Sequence, residues 1–292
     1  REKLDPVLKE IARKPPFLEF EEHVRRRDSL PARRHYKFYF KSAVDGNRLP
    51  ILLDVLEEEN PYGSLHPISL ENPFFKLDHA IKVRVPTVDQ LLGDKLTAFA
   101  PRTIGIVFNS EATTQIAKQL FDIGELFTVA NDLTVARQTF DRICQDQIGY
   151  RGNKHTREEV LTDTFGASLA LCRHGLAKDL PKDVEPCRML EDGIAKMANY
   201  LIGARFGRDE AKIAASRAAF LCHLLLSGQC SAALQRKRFD PAKQAALSQV
   251  EIKWPQAALN KLLATTPEAF HYWAEIFKDL PGRKAGTEGK TK

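Results

Sequence analysis

The sequence predicts an α/β protein of the α+β kind: a sheet-bearing piece over about residues 1–87, packed on a larger α-helical bundle over 88–280, with a disordered tail at 281–292. Three observations predict it. Two stretches alternate with period two on either side of Asp45-Gly46-Asn47, a hairpin signal. From Glu111 onward, segment after segment repeats apolar residues at helical spacing, with Pro or Gly near most of the breaks. A chain of 292 residues, 43% apolar and 28% charged, has material for one large or two ordinary globular domains.

LDPVLKEIARK opens as a helix: Pro6 suits a first-turn position, Leu8 and Ile11 are its apolar residues, and Pro15-Pro16 ends it. FLEFEEHV follows as a strand. From Arg34 to Val44, Tyr36, Phe38 and Phe40 fall on one side, and His35, Lys37, Tyr39 and Lys41 on the other. The return strand runs from Leu49 to Leu56, with Ile51, Leu53 and Val55 on one face and Leu52, Asp54 and Leu56 on the other. Glu57 to Lys76, rich in Pro, Gly and Asn, reads as a long connection, and Ile81 to Val85 as a short strand closed by Pro86. Thr87 caps a helix from Val88 to Ala100. A second opens at Glu111 with the stripe Ile116, Leu120, Ile123 and Phe127. Later helices span 133–145, 156–172, 187–203, 210–227, 241–249, 255–263 and 267–277, and Thr156 with Glu159 is a capping box. Met189, Ile194, Met197 and Leu201 form a core stripe, while His174, His223 and His271 stand isolated and read as structural.

Composition excludes some classes. No apolar run is long enough to cross a bilayer, and the charged opening REKLDPVLKE is no signal peptide. Five scattered cysteines lack metal-ligand spacing and fit reduced thiols in a cytoplasmic protein. Net charge is +6 and the pI about 9.0, compatible with phosphate-rich partners. The basic residues cluster: Arg25, Arg26, Arg27, Arg33, Arg34, Lys37 and Lys41 lie within seventeen residues against one acid, Asp28. That run is either a solvated face or a nucleic-acid footprint, with Tyr36, Phe38, Tyr39 and Phe40 interleaved.

Two charged residues stand at core-like positions. Lys95 falls inside the apolar arc of Val88, Leu91, Leu92, Leu96 and Phe99. Its ammonium either snorkels to water or points into a cleft and meets phosphate as a point charge. Asp54 sits within an apolar strand, where a carboxylate needs a partner or a metal. In polymerase-type transfer such carboxylates hold Mg²⁺, which clamps a triphosphate. The other reading is a carboxylate satisfied by backbone or a nearby Arg. Lys118 and Asp122, four apart with Glu125 beside them, have the spacing of a solvated surface pair. Arg102 and Thr103 follow closely on Lys95, as phosphate contacts or as ordinary turn residues.

VPTVDQLLGDKLTAFAPRTIG followed by KQLFDIGELF resembles the later motifs of the AbiEii/AbiGii-type nucleotidyltransferase toxins over about residues 30–130. The Asp94-Lys95-Leu96 step matches that family's Glu/Asp-Lys-Leu, and Lys118 to Ile123 matches its Arg/Lys-Asp-x-x-Asp-Leu/Ile, with Gln119 replacing the first acid. The resemblance implies a partial nucleotidyltransferase-type mixed sheet and an active site in the cleft between sheet and bundle. It further implies transfer of NMP from an NTP to a hydroxyl, with Mg²⁺. Lys95 would contact the triphosphate, with Arg102 and Lys118 as further NTP contacts; Asp54 would bind metal, and Asp122 would belong to the catalytic set. It also implies a bacterial toxin with a cognate antitoxin and an RNA acceptor such as a tRNA end. The family's Asp-x-Asp pair is not found before Asp54, so the sequence is expected to be the C-terminal part of a longer chain. Without that pair, the alternatives are a non-catalytic nucleic-acid or partner-binding relative, or a small-molecule nucleotidyltransferase.

Overall fold

The computed structural model describes residues 4–25, 32–71, 77–230 and 233–278, apart from the side chains of residues 24, 25 and 32. Arg26, Arg27 and the expected tail at 281–292 lie outside the described residues, as does the side chain of Arg25. The fold is mixed α+β, as expected. The chain divides into two compact units at Asn60/Pro61.

The first unit contains α1 (Leu4–Ala12), β1 (Phe17–Arg25), β2 (Ala32–Lys41) and β3 (Arg48–Glu57). The strands form an antiparallel sheet in that order, with Tyr36 opposite Leu53 and His35 opposite Asp54. The expected hairpin joins β2 to β3: Gly46 has φ +73°, a left-handed conformation that glycine adopts without strain. Alternation delivers Tyr36 and Phe38 to a core with Leu8 of α1, and Phe20, Leu53 and Val55 pack on it.

The second unit opens with a hairpin of β4 (His66–Ser69) and β5 (Lys82–Val85). Strand β4 lies inside the stretch expected to be irregular; it is fully exposed and gains its order from pairing with β5 rather than from its own pattern. This hairpin lies in the second compact unit, which opens at Pro61. The helices are α2 (Val88–Ala98), α3 (Thr113–Val129), α4 (Leu133–Tyr150), α5 (Arg157–Arg173), α6 (Pro181–Met197), α7 (Arg208–Leu226), a short α8 (Leu262–Thr265) and α9 (Pro267–Phe277). They share one core built around Phe127, Phe140, Phe270, Tyr272 and Trp273.

Both expected caps form, with capping boxes at Thr87/Gln90 and Thr156/Glu159. Several expectations shift, among them the helix expected over 255–263, which is a 3-10 turn at Ala257–Lys261 followed by α8. Helix α6 starts at Pro181 and carries Pro186 inside it, a turn and a half before the expected start. Pro241–Gln249 is a 3-10 helix with no buried residue; lacking an apolar face to pack, it does not settle into α geometry.

Candidate active site

Helix α2 is held between α3 and α4. Leu92, Leu96 and Phe99 are buried, and Gly93 lets α4 come close: a Cβ there would overlap the Ala136 carbonyl oxygen. That packing fixes the rotation of α2 and turns Lys95 toward α3. Its side chain is 27% exposed, and Nζ lies 3.0 Å from Asp122 Oδ2, itself 22% exposed. Nζ also donates to Gln119 Oε1 at 3.4 Å. Gln119 and Asp122 are three residues apart on α3 and so share a face. Lys95 and Asp122, two of the three residues expected in one pocket with Asp54, meet here; the ammonium is partnered within the fold rather than released to water. Lys118 is exposed on α3, and Asp122 pairs across the helix interface with Lys95, not within its own helix as its spacing predicts.

Two further polar groups join this side of α2. Asp94 accepts a hydrogen bond from the Tyr62 hydroxyl at 2.9 Å. Burial pushes the Asp94 carboxyl above its usual range, while the Tyr62 bond and the neighbouring Lys95 charge pull the other way. Tyr62 was missed by sequence reasoning because it sits in a stretch with no periodic signal. Gln119 stands in the sequence only as a departure from the family's motif. The cluster therefore holds one ammonium, two carboxylates, a phenol and an amide. Such a set suits a cation held at a defined spot, ready to exchange part of a carboxylate's attraction for a phosphate's.

Arg102 is engaged elsewhere. Its guanidinium pairs with Asp183 of α6 at 2.9 Å, and its backbone N–H donates to Asp163 Oδ2 at 2.7 Å. Thr103 donates to the same oxygen at 2.9 Å. Burial raises the Asp163 carboxyl above its usual range against these bonds. Arg102 lines a cavity of about 120 Å³ with Arg173, Lys178 and Lys182, and neither Lys95 nor Asp122 lines it. The turn reading of Arg102 and Thr103 describes this geometry.

Asp54 belongs to the other unit. Leu53 and Val55 face the core there, and Asp54 faces outward, 73% exposed, with Oδ1 2.7 Å from His35 Nδ1. Its partner is the histidine directly across the ladder, neither backbone nor Arg. A magnesium ion takes six oxygen ligands in near-ideal geometry. Among the described residues no group of three or more His, Cys, Asp or Glu is arranged to hold a metal. The described residues do not by themselves make a magnesium site.

The basic run splits by parity. Arg33 is exposed and Lys37 half-buried on the outer face. Arg34 lies on the inner face, 6% exposed, with Asp5 at 2.8 Å, Glu57 at 3.7 Å and Glu22 in close contact. Its donors are taken by carboxylates of its own unit, which removes it from the expected nucleic-acid face. The aromatics are likewise not a stacking platform: Tyr36 and Phe38 are core, and Arg48 covers the Tyr39 ring at 3.4 Å. The five cysteines are free and buried. No helix among the described residues is long and apolar enough to cross a membrane.

Residues 1–190 match the sequence profile of the family described as "Nucleotidyl transferase AbiEii toxin, Type IV TA system". That span includes Asp54, Lys95 and Asp122. No curated protein and no solved structure matches the chain.

Proposed function

The chain belongs to the AbiEii nucleotidyl transferase toxin family, and from that premise we propose that it transfers a nucleoside monophosphate from an NTP to a hydroxyl of RNA. The acceptor oxygen attacks the α-phosphorus, the bond to the β,γ-diphosphate breaks, and pyrophosphate leaves. The observation that supports this reading is the Lys95–Asp122 pair at 3.0 Å, seated between α2 and α3 with Gln119 beside it. Lys95 neutralises charge on the triphosphate, where positioning and charge do most of the work. Asp122 orients Lys95 and is the carboxylate nearest to hand for an acceptor proton. Asp94, held by Tyr62, is the neighbour of Lys95 on the same turn of α2.

Transferases of this chemistry use a divalent metal with the NTP. Asp54 alone, paired with His35, does not supply such a site among the described residues. Arg33 and Lys37 are the members of the basic run that support an RNA acceptor. The family's type IV toxin–antitoxin setting supports an antitoxin partner and a bacterial, cytoplasmic role.

The test is incubation with each radiolabelled NTP and total RNA. Lys95→Ala should abolish labelling, a loss of at least about a hundredfold, with an unchanged circular dichroism spectrum. Equal labelling by variant and parent would remove Lys95 from the site.

A further inference from the structure

Outside the span matched by the family, the helical unit carries three consecutive cations, Arg236, Lys237 and Arg238, at the 3-10 turn Leu234–Lys237. Arg238 is spent on structure: its Nε donates to the Phe127 carbonyl at 3.0 Å, and its terminal nitrogen to the Ala130 carbonyl, at the C-terminal end of α3. Arg236 and Lys237 have no side-chain ion-pair partner among the described residues. Both line a cavity of about 240 Å³ together with Lys243 and Leu247 of the long 3-10 segment and His271 and Glu275 of α9.

The acids near that cavity are already committed. Asp240 caps its own segment by accepting from the Ala242 N–H at 3.0 Å and stands 3.6 Å from Lys243. Glu275 pairs with Lys278 at 2.5 Å. Burial holds the His271 imidazole below its usual range, so it contributes a polar wall rather than charge. What remains is two adjacent cations on the wall of a concave space whose two acids, Asp240 and Glu275, are each paired with another lysine. Neighbouring like charges raise the local potential and favour an anion drawn from outside.

We infer that this cavity binds a phosphate group, with Arg236 and Lys237 providing the charge. Its volume is below the range that encloses a whole small ligand. It admits a phosphate group while the rest of an RNA backbone or of a free nucleotide stays outside. The inference goes beyond the nucleotidyl-transfer reading and does not need it.

The test measures binding to the full chain, without turnover. One arm follows anisotropy of a fluorescein-labelled single-stranded RNA at rising KCl, with no NTP present. The other titrates ATP in a Lys95→Ala background, so that a nucleotide site at Lys95 does not mask the signal. Arg236→Gln with Lys237→Gln should weaken RNA binding about tenfold and flatten its salt dependence. Lys154→Gln with Lys253→Gln, an exposed pair elsewhere, should change it less than about twofold, and Arg236→Lys with Lys237→Arg should retain it. Loss confined to the ATP arm assigns the phosphate to a free nucleotide. RNA and ATP binding both unchanged in the Gln pair would overturn the inference. Binding lost in Lys95→Ala but kept in the Gln pair would do so as well, while leaving the nucleotidyl-transfer reading in place.

Discussion

At Arg34, carboxylates from α1, β1 and β3 meet one guanidinium, and an acid sensitivity follows. The Arg34 hydrogen bond holds the Asp5 carboxyl below its usual range. A carboxyl depressed in the folded state stabilises fully above its unfolded value, near 4, and that contribution is lost as pH falls through the folded value. Arg34→Met should therefore unfold the sheet at a lower denaturant concentration at pH 7, and the gap from the parent should close toward pH 2. Unfolding midpoints measured across that range check it; a constant gap would mean that packing, not charge, is what the arginine supplies. This placement was legible in advance, because strand parity puts position 34 with Tyr36 and Phe38. The count of basic residues in the run obscured it. Asp122 was not legible in the same way, since helical spacing registers only partners within its own helix and its actual partner comes from α2.

For the elements, α2 is the one on which the proposed site depends. It carries Lys95 and Asp94, and its angle is set by how closely α4 approaches at Gly93. A Cβ there would meet backbone atoms, the Ala136 carbonyl oxygen and Phe140 N at 2.9 Å, which cannot rotate away as a side chain would. Gly93→Ala should cost about 2 kcal/mol, the usual range for forcing atoms into a packed interior. It should also move Lys95 relative to Asp122, so NTP-dependent labelling should fall more than stability alone explains. Urea midpoints together with the labelling assay separate these effects. Helix α3 has two more approaches of this kind, at Gly124 against Ala214 of α7 and at its own Thr113 carbonyl against Gly193 of α6. Small residues thus decide where three of the helices around the site can lie.

For the molecule as a whole, the two units differ in how much core each owns. The first rests on Leu8, Tyr36 and Phe38 with a few partly buried neighbours; the second on a continuous core that includes Trp273, Phe140 and Phe270. Less buried apolar area means a lower opening free energy. In native-state hydrogen exchange, amides of β1, β2 and β3 should therefore exchange before those of α3, α5 and α7. Equal protection in both would show that the units unfold together. The sequence by itself determined the strand alternation, the hairpin at Gly46, the caps at Thr87 and Thr156, most helix spans and the lysine at a core-like position. These are local, set by side-chain period and by hydrogen bonds between near neighbours. Only the tertiary structure decided that Lys95 meets Asp122, that Arg34 is enclosed by carboxylates, that Asp54 turns outward to His35 and that Arg236 and Lys237 have no ion-pair partner among the described residues. Each depends on which elements come to lie side by side, and the period of any one segment does not contain that.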